Sequence, residues 1–306
     1  MTTTESNAVF PVALRDPQRI IPRLQARRVA FHGVNKSGSL ALATVLGEAY
    51  RLAGRSDQFI SFYHKVVPSL EDLLALIEAG NNQPALFVAH YLYGAFDARA
   101  AKVSYVSLIR HPVPRIVSCY QWMKNKYIQR EKSDKGYPTL EKFIKKKGSR
   151  NHFQNIQFAA GFGPNKKAIR AELDERQIYN RAQSALAKRL AWFGVAEYFE
   201  ETIFSFAHML GLPEVPAWKR DERNTNRPLV TQLDPKIIAL IEEKAEWEIK
   251  FYNFGRDLFL ERLQSIKFGA KFENYRSACA GEYKDRLLTS GPQAGSPLSD
   301  EPAIGI

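Results

Sequence analysis

One stretch limits the fold more than any other: Val29-Ala30-Phe31-His32-Gly33-Val34-Asn35-Lys36-Ser37-Gly38-Ser39, followed directly by Leu40 to Ala53. Val29 to Val34 is a short apolar run of the kind that makes a buried strand. Leu40 to Ala53 is rich in helix formers, with Gly54 placed to stop it. A strand must therefore become a helix across Gly33, Lys36, Ser37, Gly38 and Ser39. Glycine lets the backbone curl until successive N–H groups face one point, and the helix adds the positive end of its dipole. Lys36 and the serines add a charge and hydroxyls. Such a turn suits an anion, and Ser and Gly also cap helices where no ligand binds.

Ala85 to His90 and Val103 to Ile109 read as further buried strands. Gln58 to Val67 reads as a strand through Phe59, Ile60, Phe62 and Tyr63, and Ala191 to Val195 as the last one. Helices are expected over Ser69 to Ala79, Gln183 to Leu190 and Tyr198 to Leu210, and over Asp234 to Leu263 as one long amphipathic region. Alternating strands and helices of these lengths predict an α/β fold, a P-loop-like central parallel sheet flanked by helices, as a single domain over residues 26–285. Residues 1–25, with Pro11, Pro17 and Pro22, read as a surface segment. Residues 286–306, rich in Ser, Gly and Pro, read as a disordered tail.

Lys and Arg number 44 against 32 Asp and Glu, and the net charge of +12 favours anionic partners. Nucleic acid, acidic lipid, nucleotide and sulfated or uronic glycan all fit that charge. Lys124 to Arg150 is a basic stretch that reads as a solvated face or as the mouth that receives an anionic acceptor. Cys119 and Cys279 are the only cysteines, too few for a disulfide framework or a zinc site. No basic-then-apolar leader opens the chain and no run of about 18 apolar residues occurs, so a soluble cytoplasmic protein with no transmembrane segment is expected.

Two further stretches carry chemistry. His90 closes an apolar strand at the end where open α/β sheets collect ligands, and histidine is the side chain suited to take a hydroxyl proton near neutral pH. The bland alternative is a histidine bonded to a backbone carbonyl, the reading given to His32, His64, His152 and His208. In Val106 to Tyr120 a strand ends at Arg110, Pro112 or Pro114 opens a helix, and Ser118 lies in its first turns. A guanidinium fork and a hydroxyl there match the geometry of a phosphate.

These residues resemble sulfotransferases that use 3′-phosphoadenosine 5′-phosphosulfate (PAPS). Lys36-Ser37-Gly38-Ser39 is similar to their 5′-phosphosulfate loop, with Asn35 where Pro is usual and Leu40 where a second hydroxyl is usual. Arg110, Pro112, Arg115 and Ser118 fall in register with their 3′-phosphate segment, with His111 where an acidic or amide residue is usual. His90-x-x-Tyr93-Gly94 resembles the segment that carries the general base in carbohydrate sulfotransferases. Asn155-Ile156-Gln157, Gly194-Val195-x-Glu197-x-Phe199 and Tyr252-Asn253 resemble shorter elements of the family. Arg223 and Arg227 would lie in a loop closing over the nucleotide.

The resemblance implies transfer of a sulfuryl group from PAPS to an acceptor hydroxyl, carried by a carbohydrate such as an anionic glycan before a lipid or small molecule. Lys36 and His90 would be catalytic, the lysine at the leaving group and the histidine as base. Lys36, Ser37, Gly38, Ser39, Arg110, Ser118, Arg223 and Arg227 would hold the donor. No metal and no nucleic acid partner are implied. A P-loop kinase using ATP is the rival enzyme, disfavoured because Lys36 precedes Gly38 and no Asp is clearly placed for magnesium. A non-catalytic basic protein that binds nucleic acid or glycan is the rival of another class.

Overall fold

Near-continuous apolar strands need cover on both faces, and the chain supplies it with helices. The computed structural model describes residues 9–11, 28–62, 85–90, 93–94, 103–145, 154–160, 171–218, 230–264 and 268–289, with isolated residues between these ranges. Within them lie strands β1 (Val9–Pro11), β2 (Arg28–Gly33), β3 (Phe59–Ser61), β4 (Ala85–His90), β5 (Val103–Ile109), β6 (Leu190–Val195) and β7 (Glu214–Pro216). The helices are α1 (Ser39–Leu52), α2 (Pro112–Glu131), α3 (Leu140–Lys145), α4 (Gln154–Ala160), α5 (Glu175–Ser184), α6 (Phe199–Met209), α7 (Pro235–Lys244), α8 (Glu246–Gln264) and α9 (Ala270–Thr289).

The central sheet has five strands in the order β3-β4-β2-β5-β6, and every neighbouring pair is parallel. Gly33 pairs with His90, and His32 with both Ala89 and Ser107, so β2, β4 and β5 end together at one edge. β2 is buried along its whole length, as are Leu86 to Ala89 of β4. Leu42, Val45, Leu46, Ala49 and Tyr50 form the buried stripe of α1 at helical spacing. β1 pairs antiparallel with β7, which gives part of the N-terminal segment a sheet partner. No described helix is long and apolar enough to cross a membrane.

The α/β class and the parallel sheet stand as expected, and several boundaries move. Described β-structure at the second strand is confined to Phe59–Ser61, after a 3₁₀ turn over Ser56–Gln58. The helix expected over Gln183 to Leu190 begins at Glu175, where Asp174 accepts from Gln177 N in a capping box, and gives way to a π turn at Ala185–Arg189. The long region from Asp234 is two helices, α7 and α8, which meet at Ala245. The first residues of the basic stretch continue α2 as far as Glu131, and α9 is helical to Thr289. His64, His152 and most of the helix expected over Ser69 to Ala79 lie outside the described residues.

Candidate functional site

The loop after β2 is built around one carbonyl. Val34 O accepts from Ser37 N (3.3 Å), Ser37 Oγ (2.8 Å) and Ser39 Oγ (3.2 Å), and the two hydroxyls lie 2.7 Å apart. Gly38 has φ 95°, a left-handed conformation that glycine takes without strain, and Lys36 takes φ 62°, which costs a residue with a side chain about 1 kcal/mol. The helical ladder of α1 begins only with Leu42 N donating to Gly38 O (3.1 Å). α1 has no side-chain cap and no acidic residue in its first turn, so its leading N–H groups end on a positive dipole with no built-in anion. The ammonium of Lys36 lies 5.5 Å from the centre of the Trp122 ring, which also carries the Lys126 ammonium at 4.3 Å.

At the end of β4, His90 Nδ1 lies 2.9 Å from Gly33 O. A carbonyl oxygen only accepts, so Nδ1 carries the hydrogen and the lone pair of the neutral ring is on Nε2. The bond to a carbonyl and the capacity to act as a base thus belong to one arrangement, because the bond selects the tautomer. His32 is buried, 1% exposed, but its Nδ1 accepts from Tyr93 N (3.2 Å) where a bond to a backbone carbonyl was expected, and its ring meets Phe158 and Tyr93 edge to face.

Arg110 follows the end of β5, and its Nη1 donates to Lys36 O (3.1 Å), linking the two candidate segments directly. Its peptide is held by Gln154, which accepts from Arg110 N (2.8 Å) and donates to Arg110 O (2.6 Å). Glu248 accepts from Gln154 N and pairs with Arg115 at 2.7 Å, with both charged side chains fully buried. Arg115, in register with the resemblance, therefore serves the interior rather than a ligand. His111 donates its N–H to Glu197 (2.9 Å), and its Nδ1 accepts from Val113 N (3.3 Å) to cap α2. Glu197 also accepts from Tyr252 OH (3.0 Å), whose ring meets that of His111 edge to face. Burial, and then the Glu197 carboxylate, push the Tyr252 phenol well above its ordinary range, so it stays a donor.

Glu248, Tyr252, Gly255 and Phe259 lie on one buried face of α8. Gly255 lets that face approach β5 closely, since a Cβ there would stand 2.5 Å from Ile109 Cδ1 and 2.8 Å from Leu186 Cδ2. Lys36, Ser37, Gly38, Ser39, His90 and Arg110 thus gather at the carboxyl edge of β2, β4 and β5. Ser118 is on the buried face of α2 and 3% exposed. Asn155 and Gln157 are 0% and 1% exposed within α4. The burial runs through five consecutive residues, Gln154 to Phe158, so this short helix is enclosed on every side over that span. Arg223 and Arg227 lie outside the described residues.

Sequence reasoning passed over Trp122, Gln154 and Glu248. Only Glu248 carried a signal, a carboxylate in helical register with Tyr252, Gly255 and Phe259.

An ammonium, a guanidinium, a histidine and a helix N-terminus without a side-chain cap thus lie at one edge of a parallel α/β sheet. The chain is similar to Heparan-sulfate 6-O-sulfotransferase 2 of Danio rerio, at 30% identity over 77 residues. That match covers 25% of this chain and 16% of the relative's own length. No family model matches the chain.

Proposed function

We propose that the chain is a sulfotransferase that moves a sulfuryl group from PAPS to an acceptor hydroxyl on a carbohydrate. The observation that carries this reading is the Arg110 Nη1 bond to Lys36 O (3.1 Å). It joins two segments that the resemblance assigns to the two phosphate ends of one nucleotide, and the similarity to a heparan-sulfate sulfotransferase supports the same class. PAPS, when bound, supplies an activated sulfuryl group with adenosine 3′,5′-bisphosphate as its leaving group. Lys36 and the leading N–H groups of α1 would hold charge at the 5′ end, the lysine most strongly as that charge grows. Ser37 and Ser39 keep the loop curled by bonding to Val34 O, and Gly38 supplies the left-handed step. Arg110, with Ser118 from α2, would hold the 3′-phosphate. His90 would take the acceptor proton on Nε2 while Gly33 O keeps its ring in orientation.

The test pairs transfer with binding. His90→Asn should lose transfer of label from PAPS to a carbohydrate acceptor by about a hundredfold or more and still bind adenosine 3′,5′-bisphosphate. Undiminished transfer would assign the base elsewhere. A wild-type protein whose melting temperature rises with ATP and magnesium, or with oligonucleotide, and not with adenosine 3′,5′-bisphosphate would overturn the reading.

A further inference from the structure

Beyond Ile109 the peptide of Arg110 has left the ladder of β5, and a buried side chain takes over its pairing. Gln154 Oε1 accepts from Arg110 N at 2.8 Å and Gln154 Nε2 donates to Arg110 O at 2.6 Å, the reciprocal pair that a neighbouring strand would make. The amide is not free to turn over. Nε2 also donates to Glu248 Oε1 (3.2 Å), and the same oxygen accepts from Gln154 N (2.9 Å). Glu248 is fixed in turn by Arg115 Nη2, at 2.7 Å to Oε1 and 3.0 Å to Oε2. Gln154, Arg115 and Glu248 are all 0% exposed.

We propose, resting on the functional reading above, that Gln154 is a positioning residue for recognition of the 3′-phosphate. It fixes the direction in which Arg110 leaves the sheet. Arg110 has a long side chain that loses much rotamer freedom when it holds a ligand, and a fixed root reduces the part of that loss its backbone would add. A carboxamide is the side chain that accepts and donates side by side. Glutamate would set two acceptors beside the Glu248 carboxylate, and methionine would fill the space with neither function. The line Arg115–Glu248–Gln154–Arg110–Lys36 therefore runs from the interior to the phosphate loop, and every link in it is a hydrogen bond or ion pair already described.

The experiment is calorimetric titration of wild type, Gln154→Met and Gln154→Glu with adenosine 3′,5′-bisphosphate and with adenosine 5′-phosphate, with melting curves to establish folding. Wild type should prefer the bisphosphate. A folded Gln154→Met should lose about tenfold or more of that preference, the scale of a misplaced ligand-holding group, while its affinity for adenosine 5′-phosphate stays near wild type. A space-filling role would leave the preference intact, so a folded variant with wild-type preference overturns the positioning role and leaves the functional reading standing. Gln154→Glu keeps the shape of the side chain and, titrated at a pH low enough for the variant to fold, decides the matter if Gln154→Met does not fold: lost preference supports the positioning role, and wild-type preference with the carboxyl ionised overturns it. Absence of any preference in wild type overturns the functional reading and the positioning role with it.

Discussion

The two segments that meet at Lys36 are held in opposite ways. In the loop after β2, the bonds to Val34 O come from Ser37 and Ser39, three and five positions along the chain. The segment that starts at Arg110 depends on Gln154, Glu197 and Glu248, through contacts spanning 44, 86 and 133 positions. The turn of one half is closed by neighbours in the chain, and the backbone of the other is held by distant helices and turns. Neutral hydrogen bonds of the first kind each contribute about 1 kcal/mol, whereas removing one partner of a buried ion pair strands a charge and costs about 3 to 5 kcal/mol.

The sharpest way to break this contrast is to delete one anchor from each half. Glu248→Ala leaves the Arg115 guanidinium buried without its carboxylate and should lower the unfolding free energy by about 3 to 5 kcal/mol. Ser37→Ala should cost about 1 kcal/mol. Urea titration of both variants checks this, and equal losses would mean that the second segment is not the more dependent on distant support.

Function should divide the other way. Lys36→Ala leaves the buried Arg115–Glu248 pair intact and should change stability by about 1 kcal/mol or less, yet lower turnover by on the order of a hundredfold because, on the proposed function, the growing charge at the 5′ end loses its ammonium. Steady-state rates beside a melting curve measure both, and wild-type turnover would remove Lys36 from the mechanism.

The smallest expected effect is at His111. Burial lowers its pKa, opposed by Glu197, Glu242 and Glu248, with Arg256 acting with burial. The folded state thus binds fewer protons than the unfolded one between that lowered value and the ordinary histidine range. The contribution is complete above that range and is lost as pH falls through the folded-state value. Stability should therefore rise with pH across that window, and His111→Asn, which keeps a helix cap, should flatten the rise. A slope unchanged by that substitution would show that the cap does not depend on the neutral ring.

The same contrast explains what was legible in the amino acids. The strand, turn and first helix were readable because an apolar run, a Gly- and Ser-containing turn and a helix-forming run follow one another directly in Val29 to Ala53, and the turn is closed by the local bonds of Ser37 and Ser39 to Val34 O. β4 and β5 were readable to the residue because both are short apolar runs with a His or Arg at the end. Arg110 could be singled out by spacing, and nothing beside it in the chain pointed to Gln154, because a side-chain amide that replaces a strand neighbour leaves no periodic pattern. Arg115 looked like a ligand residue by the same spacing, and only the arrival of Glu248 from α8 shows that it faces the interior. The division of the region from Asp234 was missed because Ala245, where α7 ends and α8 begins, is an ordinary helix former with no Pro or Gly to mark the break.

Gly255 has a consequence for the order of events on the ribosome. The bonds that close the turn after β2 join residues no more than five positions apart. Arg110 must wait for a helix whose Glu248 follows Arg115 by 133 positions, and whose approach to β5 depends on the missing side chain at Gly255. Long-range closure of this kind is slow, and until it happens the nascent chain exposes Arg115 as an uncompensated cation. In a newly made chain the surroundings of Arg110 are therefore completed last, when α8 brings Glu248 to Arg115 and Gln154.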